Sequence, residues 1–317
     1  MTAPSAERRE RIPVRIPTLN GPYKAVILIH RALGFIGVGE APLLPGRDAS
    51  QALRAAEQCA DLDLEARMAG VRMADLLGGV RRTGIECTAL LTERRPRELA
   101  NDVERLAAAG FRAYKLKAAG AGGQVDAERL GAVRYAAGRE ARLRIDFNGV
   151  LDLERAARAL PTLDRFNLEL AEQPLPPTAR IDQWTTLAAA TSVPLAADES
   201  LAEPVLADQL SKAGMGLAIK LATVGGPRAA YQLASCSGGV VTLGSSHETS
   251  IGLAAALHVA CTLGREPLAC GLATADFPAG DLAVGLSVLG GRLQLPDGPG
   301  LGVEIDLEAL ARYRTDS

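Results

Sequence analysis

The chain has 317 residues, 35 Lys plus Arg against 37 Asp plus Glu, a formal net charge of −2, and 48% hydrophobic but only 3% aromatic residues. That balance leaves no basic footprint for nucleic acid and few rings for base stacking. No apolar run nears the ~20 residues of a membrane helix, and the opening MTAPSAERRERIPVR has no apolar stretch after its charges to act as a secretory signal.

Five scattered cysteines without a CxxC pair suit reduced thiols in a cytoplasmic protein better than a disulfide frame or a zinc site. The expected class is an enzyme acting on a small molecule, with no nucleic-acid or membrane partner. A monomer is compatible with the sequence. Of the 35 basic residues 30 are arginine, and the five lysines are Lys24, Lys115, Lys117, Lys212 and Lys220.

After a poorly patterned arm, residues 23–29 and 35–40 read as two strands joined by a short turn. Residues 50–77 read as helix, stopped by Gly78-Gly79. Together they predict a small α+β capping domain over residues 1–83. From residue 84 the texture changes to short apolar runs alternating with alanine-rich helical stretches. The runs are 85–91, 113–117, 143–147, 168–173, 193–198, 217–221, 240–244 and 267–271; helical patterns cover 97–109, 126–137, 152–160, 201–213, 226–235 and 249–262. Eight strands alternating with helices predict an α/β fold of the (β/α)8, TIM-like kind over residues 84–275. The tail, 276–317, carries strand and turn character and is expected to pack back on the capping domain.

Charged residues close several of these apolar runs. Lys115 and Lys117 end the second run, Asp146 the third, Glu172 the fourth, Asp198 the fifth and Lys220 the sixth. From Lys117 onward the spacings are 29, 26, 26 and 22 residues, one βα unit each. In such barrels the chemistry sits at the C-terminal ends of the strands. Residues two apart share a strand face, which groups Lys115 with Lys117 and Asp146 with Asn148. Three carboxylates converging there repel, and a hard divalent cation with oxygen ligands, Mg2+ or Mn2+, removes the repulsion. Lysines on two sides of that ion suit proton abstraction next to a carboxylate, the cation and the second lysine stabilising the enediolate charge. A lysine near another cation also has its ammonium disfavoured, as a base near neutral pH requires. A lone acid before a loop is ordinarily a helix cap and a lone lysine is ordinarily solvated; Asp152, Lys24 and Lys212 read that way.

These residues resemble the enolase superfamily in its muconate-lactonizing subgroup. The matching stretches are YKLKA (114–118), RIDFNG (144–149), AEQPL (171–175), AADESL (196–201) and IKLATVGG (219–226), in family order and spacing. The resemblance implies Asp146, Glu172 and Asp198 as ligands of Mg2+ and Lys117 and Lys220 as facing catalytic lysines. The mandelate-racemase subgroup instead pairs Asp and His after strands six and seven, which Lys220 speaks against. LGSSHETSIGLAAALHVA (243–260) and LACGLAT (268–274) are similar to the o-succinylbenzoate synthase family, and so is the short first domain. That likeness implies dehydration of a succinyl-bearing hydroxycyclohexadiene carboxylate in menaquinone biosynthesis. Cys270-Gly271-Leu272 stands where dipeptide epimerases of the subgroup carry Asp-x-Asp. Lys115, Asn148, Ser245, Ser246 and the loop Thr18–Tyr23 are candidate substrate contacts, and His247 is a substrate contact or a solvated loop residue. The rival readings are an N-acylamino-acid racemase, dipeptide epimerase or cycloisomerase on the same scaffold, a Schiff-base lysine aldolase, and a non-catalytic binding barrel.

Overall fold

The structure, a computed structural model, describes the chain except residues 1–6, 19–20, 47, 93–94, 120–122, 275–276, 278–279 and 317. The chain opens with three antiparallel strands in the order β1 (Arg8–Ile16), β2 (Tyr23–Ala32) and β3 (Phe35–Pro42). The segment expected to be a poorly patterned arm is therefore a strand from Arg8 onward, paired along its length from Arg8 opposite Arg31 to Ile16 opposite Tyr23. Its period-two signal is short, since only Ile12, Val14 and Ile16 face inward. Pro13 is tolerated because β1 is an edge strand.

The single predicted helix over 50–77 is two helices, α1 (Ala49–Ala69) and α2 (Met73–Leu77). Asp48 caps α1 by accepting from Ser50 N at 2.8 Å, and Gly70, with φ 67°, ends it in the left-handed conformation. Helix α1 lies against β3, where Gly37 and Gly39 admit its backbone. A Cβ on Gly39 would stand 2.0 Å from the Ala56 carbonyl oxygen, and one on Gly37 2.1 Å from that of Ala60.

A parallel sheet follows, with the order β5 (Thr88–Leu91), β6 (Ala113–Lys117), β7 (Arg142–Asp146), β8 (Leu168–Glu172), β9 (Leu195–Ala197), β10 (Gly216–Ile219) and β11 (Val241–Leu243). Helices α3 (Pro96–Ala108), α4 (Gly123–Ala137), α5 (Leu153–Ala159), α6 (Ile181–Ala189), α7 (Pro204–Lys212), the short α8 (Leu221–Val224) with α9 (Pro227–Ser235), and α10 (Ser250–Thr262) make the crossovers. Helix α6 had no counterpart among the predicted helices; it is nine residues long and buries only Trp184 and Leu187. Asp152 does cap α5, accepting from Arg155 N at 2.8 Å.

Two of the eight predicted strands differ. The first is interrupted at Cys87: its leading part, β4 (Gly84–Glu86), pairs antiparallel with the tail instead. The eighth forms no ladder, only single bridges of Cys270 to Cys87 and of Gly271 to Gly244. These suffice to close the ring, because Thr88 N donates to Cys270 O at 2.8 Å and Gly271 N to Leu243 O at 2.8 Å. The sheet is a closed TIM-like barrel of seven strands and one bridging segment.

The tail holds β12 (Ala283–Val284), β13 (Val288–Leu289), β14 (Arg292–Gln294), β15 (Glu304–Ile305) and α11 (Leu307–Tyr313). Strand β14 lies on β4, while Leu301 N donates to buried Asp63 of α1 at 2.7 Å and Arg314 bridges to Val14 of β1. The expected division between residues 275 and 276 lies outside the described residues. Among the described residues no helix is long and apolar enough to cross a membrane. Replacing Gly39 by Ala forces α1 off β3 and is expected to cost about 1–3 kcal/mol of stability; an unchanged urea midpoint would show that the contact yields freely.

Candidate active site

Strand register assembles the site. Lys117 pairs with Asp146 across β6 and β7, and Asp146 pairs with Glu172 across β7 and β8. Asp198 follows β9 and Lys220 follows β10, so all lie at the C-terminal rim of the barrel. Asp146, Glu172 and Asp198 are at most 1% exposed, and one carboxylate oxygen from each lies within 4.8 Å of the others. Lysines flank them. Lys115 Nζ stands 2.7 Å from Glu172 Oε1 and 3.3 Å from Asp146 Oδ2, Lys117 Nζ 2.7 Å from Asp146 Oδ2, and Lys220 Nζ 2.5 Å from Asp198 Oδ2.

Burial and charge work against each other here. Burial penalises the Asp146 carboxylate, but Lys115, Lys117 and Lys220 outweigh it and hold the group below the usual carboxylate range. For Glu172 and Asp198 burial prevails and pushes both carboxyls up. Burial would lower the lysines, yet Glu172 and Asp146 raise Lys115, and Asp198 raises Lys220. With carboxylates as their neighbours these two lysines are favoured as ammonium ions, the form in which a lysine stabilises developing negative charge.

A divalent cation fits this donor set. Asp198 Oδ1 is buried with no hydrogen-bond partner, and the three inward carboxylates offer the hard oxygen ligands that Mg2+ and Mn2+ take.

Neighbouring residues hold the acids in place. Gln173, with φ 40°, accepts at Oε1 from Asp198 N at 2.9 Å and Ser200 N at 3.1 Å, and donates to Leu175 O at 2.6 Å. The sequence reading passed over it, although a glutamine ending a buried strand is a signal of this kind. Asn148 accepts from Lys117 Nζ at 2.8 Å and donates to Glu199 Oε1 at 3.2 Å. Gly244 leaves room for Lys220, since a Cβ there would touch its Cγ and Cε at 3.3 Å.

After β11, Ser245 Oγ donates to Glu248 Oε2 at 2.7 Å, and Ser246 N bonds the same oxygen. Ser246 and His247 line two adjoining cavities. The inner one, of about 190 Å³, also meets Lys115, Lys117, Lys220 and Asn148. The outer one, of about 430 Å³, is walled by Thr18, Tyr23, Lys24, Leu44 and Phe277. Lys24, read as a surface lysine, is exposed at its edge; Lys212 pairs with Asp208 on the surface. Of the loop Thr18–Tyr23, residues 19–20 lie outside the described residues.

Residues 98–310 match the family described as enolase C-terminal domain-like. The chain belongs to this family. Within it, o-succinylbenzoate synthase of Thermobifida fusca (strain YX) is 44% identical over 151 residues, 47% of each chain, so the match spans about half of that relative. Chloromuconate cycloisomerase of Pseudomonas sp. (strain P51) is 30% identical over 297 residues, 86% of this chain and 80% of that one. Among solved structures, the muconate lactonizing enzyme of Pseudomonas putida superposes with TM-score 0.90 at 25% identity, covering 98% of this chain and 99% of that one. Muconate cycloisomerase of Pseudomonas fluorescens gives 0.92 at 23%, covering 99% and 100%, which speaks for the fold. This enolase-superfamily chain thus pairs a family barrel with an acidic triad able to hold a metal.

Calorimetric titration with Mg2+ or Mn2+ should show one site. Asp198→Asn is expected to weaken it by about 100-fold or more, and Gln173→Ala by about 10–100-fold, as for partners that orient a ligand. Because Glu172 and Asp198 have raised pKa values, protons compete with the metal and affinity falls as pH falls, about tenfold per pH unit for each proton displaced. Equal affinity in both variants would place the metal elsewhere.

Proposed function

We propose that the protein is a Mg2+-dependent o-succinylbenzoate synthase, dehydrating a succinyl-bearing hydroxycyclohexadiene carboxylate as a step towards menaquinone. The observation that carries this reading is the lysine placement: Lys117 bonds Asp146 on one side of the triad and Lys220 bonds Asp198 on the other. The likeness to the T. fusca synthase and the Ser245-Ser246-His247-Glu248 stretch support the choice of reaction.

Asp146, Glu172 and Asp198 would hold the cation. When bound, Mg2+ supplies positive charge where negative charge grows on the substrate carboxylate. Lys117, the most accessible of the three lysines, takes the α-proton in its neutral form. The resulting ammonium returns that proton to the departing hydroxyl, so that the substrate loses one water and the ring becomes aromatic. Lys220, kept charged by Asp198, faces the planar enediolate and stabilises it. Arginine could not take the place of Lys117, since it stays protonated. Lys115 and Asn148 act through what they touch, Glu172 and Lys117. The Ser245 hydroxyl already donates to Glu248, which leaves Ser246 and His247 to meet the succinyl arm from this loop.

A second reading, cycloisomerisation of a muconate, draws on the broader likeness to the chloromuconate cycloisomerases. N-acylamino-acid racemisation would use both lysines as bases. A spectrophotometric dehydration assay run beside muconate and N-succinylamino acids separates the three. Dehydration should require Mg2+, vanish in EDTA, and fall by about 10²–10⁴-fold or more in Lys117→Ala. Turnover of muconate or N-succinylamino acids alone would overturn the assignment.

A further inference from the structure

Glu40 is an acid in the wrong place for a solvated one. It sits in FIGVGEAP, the otherwise apolar and glycine-rich strand β3, and is 6% exposed. Burial pushes its carboxyl up to about 7. A group so placed is held by its partners, and all of them lie around the loop and cavities described above.

Oε1 accepts from Tyr23 OH at 2.7 Å and from Thr249 N at 3.0 Å. Oε2 accepts from Thr249 Oγ1 at 2.7 Å and from Gly252 N at 2.9 Å. Glu40 therefore caps α10 from a separate sheet, 209 residues away in the chain. The local cap is weaker, for Thr249 Oγ1 accepts from Ile251 N only at 3.4 Å. Glycine at 252 is what admits this arrangement: a Cβ there would lie 2.5 Å from Glu248 Cβ and 3.1 Å from Glu40 Oε2.

One residue before Thr249, Glu248 gathers Ser245 Oγ and Ser246 N. The loop that lines the cavities is thereby continuous with the helix end that Glu40 holds. On the other side, Tyr23 forms part of the outer cavity wall and meets Phe277 edge-on at 5.6 Å between ring centroids. One carboxylate thus grips both walls of that cavity.

We propose that Glu40 is a positioning residue, through which the three-stranded sheet sets the Ser245–Glu248 loop and Tyr23 at a fixed spacing around the bound substrate. Its effect on turnover rests on the reading of the site given above; its effect on the loop does not. Lys117, Lys220 and the triad come from other strands, so Glu40 acts on substrate binding and leaves the proton transfers alone.

Two measurements on the full chain test this. By amide hydrogen exchange, Glu40→Gln should speed Ser246, Thr249 and Gly252 by about tenfold or more, with β7 and β8 unchanged. In the dehydration assay KM should rise about fivefold or more while kcat stays within about twofold. Thr249→Ala, which removes one donor and keeps the acid, should give a smaller version of both results, and it decides the matter if Glu40→Gln does not fold. Unchanged loop exchange, faster exchange throughout the barrel, or a fall in kcat at constant KM would each overturn the role. If the wild-type chain fails to dehydrate the substrate, the assigned reaction falls while the exchange result still decides on Glu40.

Discussion

Everything at the barrel rim answers to one constraint, the mutual repulsion of three buried carboxylates on neighbouring strands. Parallel register brings them together, because Asp146 and Glu172 are paired residues and Asp198 follows two residues after Ala196, the partner of Glu172 on the next strand. At close range two such charges oppose each other by about 4 kcal/mol at an effective dielectric near 20, so the array persists only among cations. The lysines meet that need in part, and the orphaned Asp198 oxygen marks where they fall short.

The same constraint orders the surroundings. Gln173 spends its side chain on the backbone of Asp198 and Ser200, and Gly244 stays small so that Lys220 can lie flat beside the next strand. Deeper in the barrel Arg144, 2% exposed, bonds Glu169 at 2.6 Å and Ala269 O at 2.7 Å, which ties the bridging segment to the interior. The closure that carries only two isolated bridges is thus reinforced by a side chain.

The rim was legible in the sequence because its chemistry repeats with the βα unit: a scarce lysine or a carboxylate ended one apolar run after another, each in phase. The strands between Ala113 and Leu243 could be placed for the same reason. What escaped were features whose cause lies far along the chain. Cys87 ends a single strand early because Gly291 accepts its amide at 2.8 Å, a partner no local pattern announces. Glu40 carries no local sign of its role, since Thr249 and Gly252, which donate to it, stand 209 and 212 residues later. β1 was hidden by arginines on its outward face, and the break between α1 and α2 by alanines that read as helix on both sides of Gly70.

The union of β1 with α11 has a consequence for the order of assembly. Thr315 N donates to Pro13 O at 2.9 Å, and Leu301 completes the hydrogen bonds of Asp63. During synthesis every barrel strand emerges before these tail residues do. The sheet and α1, made first, must therefore wait, with an outer edge open and Asp63 holding only Val38 N and Arg67 Nε, until the barrel has brought residues 301–315 back to them. Such distant contacts slow folding and leave a strand edge open to other chains in the interval. The arginines along that edge, Arg9 and Arg11 on β1 paired with Asp61 and Glu57, keep charge on it meanwhile.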